Sequence, residues 1–179
     1  QPLAKSDFAL AAQQGSVAYA GDGSIGNALK LSEEQLLANV QAVQAANGLE
    51  QSATLAESRS DNGKEVFCPL NLTIEMETGT GKTYSFIKTM YELNKVYGFK
   101  KFVVVVPSVA IREGTMKNLE ITRSHFAADY ANVPCVPILY DSTKLTDLRH
   151  FAQSDALSVL VINIDSFTKD NNKINQKGE

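Results

Sequence analysis

Eight consecutive residues, Met76-Glu77-Thr78-Gly79-Thr80-Gly81-Lys82-Thr83, bring together the groups that hold phosphate. Phosphate is bound best by donors that converge on it, and a loop running into a helix supplies them as backbone N–H groups. Gly79 and Gly81 let that backbone wrap closely and take angles that side chains forbid. Lys82 carries a flexible positive charge to the β and γ phosphates of a nucleotide. Thr83 opens the helix, where its hydroxyl can ligate Mg²⁺. The helix N-terminus adds its own partial positive charge. The ligand expected is therefore ATP with Mg²⁺, on Thr78, Gly79, Thr80, Gly81, Lys82 and Thr83. The general pattern G-x-x-x-x-G-K-[ST] asks for glycine at position 76, where this chain has Met76. A plain strand-to-helix turn that happens to read Thr-Gly-Lys-Thr is the competing interpretation.

Such a loop works only between a strand and a helix. From Leu70 to Met76, apolar Leu70, Leu72, Ile74 and Met76 alternate with Asn71, Thr73 and Glu75, the period of a strand. After the loop, Phe86, Ile87, Met90, Leu93 and Val96 recur at helical spacing until Gly98. Phe102 to Val106 is a β-branched run suited to burial on both faces. Pro107-Ser108 turns the chain into a helix expected from about Val109 to Tyr130. Further strands are expected at Cys135–Tyr140 and Leu157–Ile164, with a helix at Leu145–Phe151 between them. Phe126 and Phe151 fall on apolar helix faces and read as core. Alternating strands and helices imply an α/β fold with a mostly parallel sheet and helices on both faces. Ligands in such sheets sit at the carboxyl ends of the strands.

Upstream, Ser32 and Gln35 form a capping box, Leu36, Leu37, Val40 and Val43 share a helix face, and Asn47-Gly48 ends it. Residues 51–66 read as a polar linker. Residues 1–30 read as loop or loosely packed edge, with turn signals at Asp22-Gly23-Ser24 and Gly26-Asn27.

A net charge of −3 excludes a domain-wide basic field, so any nucleic-acid contact must come from a local patch. Cys68 and Cys135 show no metal-ligand spacing and read as reduced thiols of a cytosolic protein. His125 and His150 are isolated in sequence, which gives a zinc or histidine-based catalytic site no support. The longest apolar run is strand-sized, far short of a membrane span, and Lys5 is not followed by a signal-peptide core. The first methionine is Met76, which points to a piece of a longer polypeptide.

Ile74-Glu75-Met76-Glu77-Thr78-Gly79-Thr80-Gly81-Lys82-Thr83-Tyr84 resembles motif I of superfamily 2 helicases, in which the first glycine is commonly replaced. In this form it is similar to the restriction (Res) subunit of type III restriction-modification enzymes. The similarity continues through Lys101 to Gly114, which resembles motif Ia, and through Val159 to Phe167. It covers about Leu70 to Asn175 well and the helix at 32–47 loosely.

The resemblance implies the first of two RecA-like motor domains, at 67–179, preceded by an N-terminal loop and helical segment at 1–66. It implies a large cytoplasmic subunit that uses ATP to act on DNA beside a modification methyltransferase subunit. It also implies backbone contacts to DNA from motifs Ia and Ib, which by position are Ser108 and Arg112, then Ser166 and Lys169. Hydroxyls and cations suit phosphate and carry no sequence information. The acidic motif II, the second motor domain and the nuclease are not in the sequence, so no catalytic residue is assigned and the chain is expected to be inactive alone. Asp165 ends a hydrophobic strand as a metal-binding aspartate would, but Ser166 follows where a glutamate is needed, and the residue reads as a turn or helix cap. The alternatives are a related superfamily 2 or type I restriction motor, or a nucleotide-binding piece without turnover.

Overall fold

The computed structural model describes residues 17–28, 31–55 and 71–168. Within them the chain forms a hairpin of β1 (Val17–Tyr19) and β2 (Ile25–Asn27), then α1 (Glu33–Ala46) and α2 (Lys82–Tyr97). Next come β3 (Lys101–Val106), α3 (Val109–Ile121), α4 (Arg123–Asp129) and β4 (Cys135–Leu139). The chain continues through α5 (Leu145–Gln153), β5 (Leu157–Asn163) and the single turn α6 (Asp165–Thr168).

The main sheet has three parallel strands in the order β3-β5-β4. β5 is central, and all seven of its residues are buried, as a run apolar on both faces requires. Leu157, Val159 and Val161 face one core with Ile87, Met90 and Tyr91 of α2, Leu119 of α3 and Phe126 of α4. Leu160 and Ile162 face the other way, against Tyr140, Ile138, Leu148 and Phe151. Helices therefore cover both faces, as the sequence predicts. Burial of each such side chain stabilises the fold by about 1.5–3 kcal/mol, and Phe126, 1% exposed, is among the most enclosed.

Among the described residues β3 and β4 are the outer strands, and their outer edges differ. Tyr140 N–H reaches the Val161 carbonyl, so by alternation Pro137 turns its backbone outward, where a missing N–H forfeits no ladder bond. On β3 the outer edge begins at Lys101, whose N–H and carbonyl are both taken by the Asn27 side chain.

Several expectations are corrected. Residues 72–76 form no strand, despite their alternation, and Ile74 is 79% exposed. A strand needs a neighbour, and among the described residues no strand pairs with 72–76. Leu70 lies outside the described residues. The expected loop before residue 30 is in part an antiparallel hairpin, with Asp22 Oδ1 accepting from both the N–H and the hydroxyl of Ser24 to close its turn. The single helix expected over 109–130 breaks at Thr122, whose hydroxyl donates back to the Asn118 carbonyl. The capping box of α1 is present in full, from both Ser32 and Gln35. α1 packs through Leu36 on Tyr97, Leu93 and Val96 at the end of α2. Of the expected linker, 51–55 hold to α1 through Ser52 and Gln44, and 56–66 lie outside the described residues.

Candidate nucleotide site

A connection of only three residues joins α2 to β3, so the C-terminus of α2 lies at the amino ends of the strands. Sixteen residues of helix reach about 24 Å, which carries its N-terminus, and the loop before it, toward their carboxyl ends. Gly81 is the N-cap at φ 90° and Gly79 sits at φ 83°. A Cβ at either position would meet nothing within 4 Å. Glycine is thus required here by backbone angle, not by crowding. Gly81 has no side chain with which to cap α2, and no acidic residue lies in its first turn. Among the described residues no side chain caps the first N–H groups of the helix, which suits them to an external acceptor.

The loop is held by two carbonyls, chiefly that of Glu77. Glu77 O accepts from Thr80 Oγ1 at 2.7 Å, from Thr80 N–H at 3.4 Å and from Lys82 Nζ at 2.8 Å. Lys82 Nζ also donates to Met76 O at 2.9 Å. The ammonium therefore lies across the loop, and among the described residues two of its three donors are used. Met76 takes part only through its carbonyl and is not among the positive-φ residues, so glycine is not needed where the general pattern asks for it.

Thr83 is half-buried in the first turn. Among the described residues no group of three His, Cys, Asp or Glu could hold a metal ion. This donor set suits Mg²⁺, which keeps several waters and takes one or two protein ligands beside nucleotide phosphates.

At the carboxyl edge, Ile164 N–H donates to Val106 O and draws the ends of β5 and β3 together. Ser108, after β3, and Ser166, after β5, therefore share one edge. Ser108 caps α3 through Ile111 N–H at 3.3 Å. Arg112, one turn on, pairs with Glu113 at 3.0 Å, and its Nε is buried without a hydrogen-bond partner among the described residues. Asp165 is exposed and opens α6, its N–H bonded to Asn163 Oδ1, which agrees with a turn. Lys169 lies outside the described residues, as does Cys68. Cys135 is a buried free thiol, and burial pushes its pKa up.

A sequence model described as "Type III restriction enzyme, res subunit" matches residues 29–179. This chain belongs to that family. Its members carry a RecA-like, helicase-type domain, and the three-stranded parallel sheet covered by helices is part of such a fold. The chain is 40% identical over 104 residues to the Res subunit of the type III restriction-modification enzyme EcoP15I of Escherichia coli. It is 38% identical over 104 residues to the EcoPI Res subunit of Escherichia phage P1. Each match takes in 57% of this chain and 10% of the relative. The StyLTI Res subunit of Salmonella typhimurium is 48% identical over 64 residues, 35% of this chain and 6% of that protein. The chain thus spans a small fraction of the length of these Res subunits. Among the described residues no helix is long and apolar enough to cross a membrane.

Sequence reading missed one pairing. His125, isolated in the sequence, meets Tyr84, the residue after Thr83, across 41 positions, Nε2 to hydroxyl at 2.9 Å. No local signal reports a contact between residues so far apart.

Proposed function

We propose that this chain is the ATP-binding part of a Res-type restriction subunit that moves on or switches along DNA. The observation that carries the reading is the Lys82 ammonium, lying across a loop whose two glycines are left-handed and whose exit is an uncapped helix. In this reading Thr78, Gly79, Thr80, Gly81, Lys82 and Thr83 hold the triphosphate. Thr83 Oγ1 ligates Mg²⁺, which supplies charge neutralisation between the β and γ phosphates when bound. Ser108, Arg112, Ser166 and Lys169 touch the DNA backbone. The motor domain begins near residue 67, with 1–66 as an N-terminal segment. The subunit works in the cytoplasm with a modification methyltransferase subunit that supplies sequence recognition, as the naming of its relatives within restriction-modification enzymes suggests.

Binding and turnover are separate tasks. Hydrolysis needs a carboxylate to orient water and a group to stabilise charge on the transferred phosphoryl. Asp165, followed by Ser166, lacks the first. The chain alone is therefore expected to bind ATP without turning it over. A steady-state phosphate-release assay, with and without duplex DNA, tests this. DNA-stimulated release that vanishes in Lys82→Ala would show a catalytic carboxylate within the chain and overturn the separation. Absence of ATP binding by calorimetry would overturn the assignment itself.

A further inference from the structure

Lys82 and the glycines account for the phosphates of a nucleotide and leave its nucleoside without a partner. Tyr84 lies two residues beyond Lys82, about 3 Å further along the helix axis. The residue is 42% exposed, whereas Ile87, one turn on, is 1% exposed. The ring is not a loose surface group. Phe126 backs it at a centroid distance of 5.0 Å, and His125 lies at 5.7 Å. Phe126 is itself fixed by stacking on Tyr91 at 5.1 Å. The hydroxyl is tied to His125 Nε2 at 2.9 Å, and that nitrogen lies 3.8 Å from Asp129 Oδ2. The ring is thus supported from α4 and pinned at its far end, with part of its surface left to solvent beside the loop.

We infer that Tyr84, held by Phe126 and His125, is the platform on which the base of the bound nucleotide stacks. The inference rests on the phosphate-site reading above and extends it to the nucleoside. A ring already fixed by its neighbours loses little freedom when a base covers it. Stacking on an aromatic face is tolerant of base identity, because every base has a π-face. The platform therefore favours nucleotides over bare polyphosphate and discriminates weakly between ATP and GTP. Tyr84 is a binding and positioning residue in this account and takes no part in bond making.

The chain contains no tryptophan, so Tyr84→Trp places a single indole on the platform. Its fluorescence is expected to change on adding Mg²⁺-ATP or Mg²⁺-GTP and to stay constant with Mg²⁺-tripolyphosphate. Calorimetry supplies the second reading. Tyr84→Leu keeps apolar packing against Phe126 but has no π-face, and should lower ATP affinity about tenfold with tripolyphosphate affinity unchanged. Tyr84→Phe keeps the π-face but loses the tie to His125, and should weaken ATP binding less than Tyr84→Leu does, with tripolyphosphate affinity unchanged. Equal ATP affinity in wild type and Tyr84→Leu overturns the inference and leaves the phosphate site standing. Parallel loss of ATP and tripolyphosphate in Tyr84→Leu also overturns it, since Tyr84 would then act only by shaping the helix start. A wild-type chain that binds neither ligand removes the phosphate site, and the platform with it.

Discussion

Lys82 and Met76 are joined by a hydrogen bond of 2.9 Å from the ammonium to the main-chain carbonyl. The residue that departs from the general loop pattern thus contributes an atom that every amino acid has. Its side chain is only partly buried. Met76→Gly should accordingly leave nucleotide affinity within about threefold of wild type while loosening the loop through added backbone freedom. Calorimetry with Mg²⁺-ATP checks this, and a tenfold change in either direction would contradict it.

Lys82→Ala removes a charge-assisted donor from an exposed site. ATP affinity should fall by about 10- to 100-fold. The melting temperature should stay within about 2 °C, because exposed substitutions of this kind change stability by about 0.5 kcal/mol or less. A large drop in melting temperature would mean that the lysine holds the fold rather than the ligand.

Gly81→Ala separates backbone strain from crowding. A side chain at φ 90° is strained, yet there is open space around it. The cost should be about 1–2 kcal/mol, read as a lower denaturation midpoint with an unchanged slope. The same change at Gly79 should cost a similar amount. A cost well above this range would point to a clash that the loop geometry does not contain.

Thr83→Ala should weaken binding of Mg²⁺-ATP more than that of metal-free ATP if, as proposed, the hydroxyl is a metal ligand. Titrations in Mg²⁺ and in chelator give the two affinities. Equal weakening would assign the hydroxyl a structural role alone.

Cys135 gives a pH dependence with a definite sign. Burial raises its folded-state pKa, so near and above the ordinary thiol range the native state holds a proton that the unfolded state releases. Its contribution to stability is fully present below about pH 8.5 and declines as pH rises beyond it. In a Cys68→Ser background, Cys135 should react slowly with a thiol reagent at pH 8 until the fold opens. Fast reaction in the native state would place the thiol at the surface.

DNA binding by the chain alone should be weak and independent of sequence, with a shallow salt slope, given a net charge of −3. Arg112→Ala should flatten the slope by about one further unit. Its pairing with Glu113 at 3.0 Å means that Glu113→Ala should strengthen binding. A sharp footprint on one sequence would contradict the assignment of recognition to a partner subunit.

Features that depend on near neighbours were readable from the residues. The Ser32 capping box and the turn at Asp22-Gly23-Ser24 each follow from a few adjacent side chains. So did the loop, because Gly79, Gly81 and Lys82 act within one turn of each other. Features set by distant chain were not. Burial on both faces, expected of Phe102 to Val106, fails in β3, where Val103 and Val105 are 53% and 47% exposed, and is found in the central strand β5 instead. The alternation at 72–76 describes a segment able to be a strand, but a strand also needs a partner, and none of the described strands pairs with it. The bend at Thr122 depends on how α3 and α4 each meet the sheet. The Tyr84–His125 bond needs α2 and α4 already packed on the same face.

Asn27 adds a statement about time. Its side chain accepts from Lys100 N–H and Lys101 N–H and donates to Lys101 O, across 73 and 74 positions. Closing so long a loop costs entropy before any bond rewards it. The bonds cannot form until β3 has an ordered first residue, and that order comes from β5. The hairpin is therefore expected to seat late and to leave early. Partial unfolding should begin by freeing Lys101 while the β3-β5-β4 core is still intact, which makes the amides of Lys100 and Lys101 the early reporters of opening in hydrogen exchange.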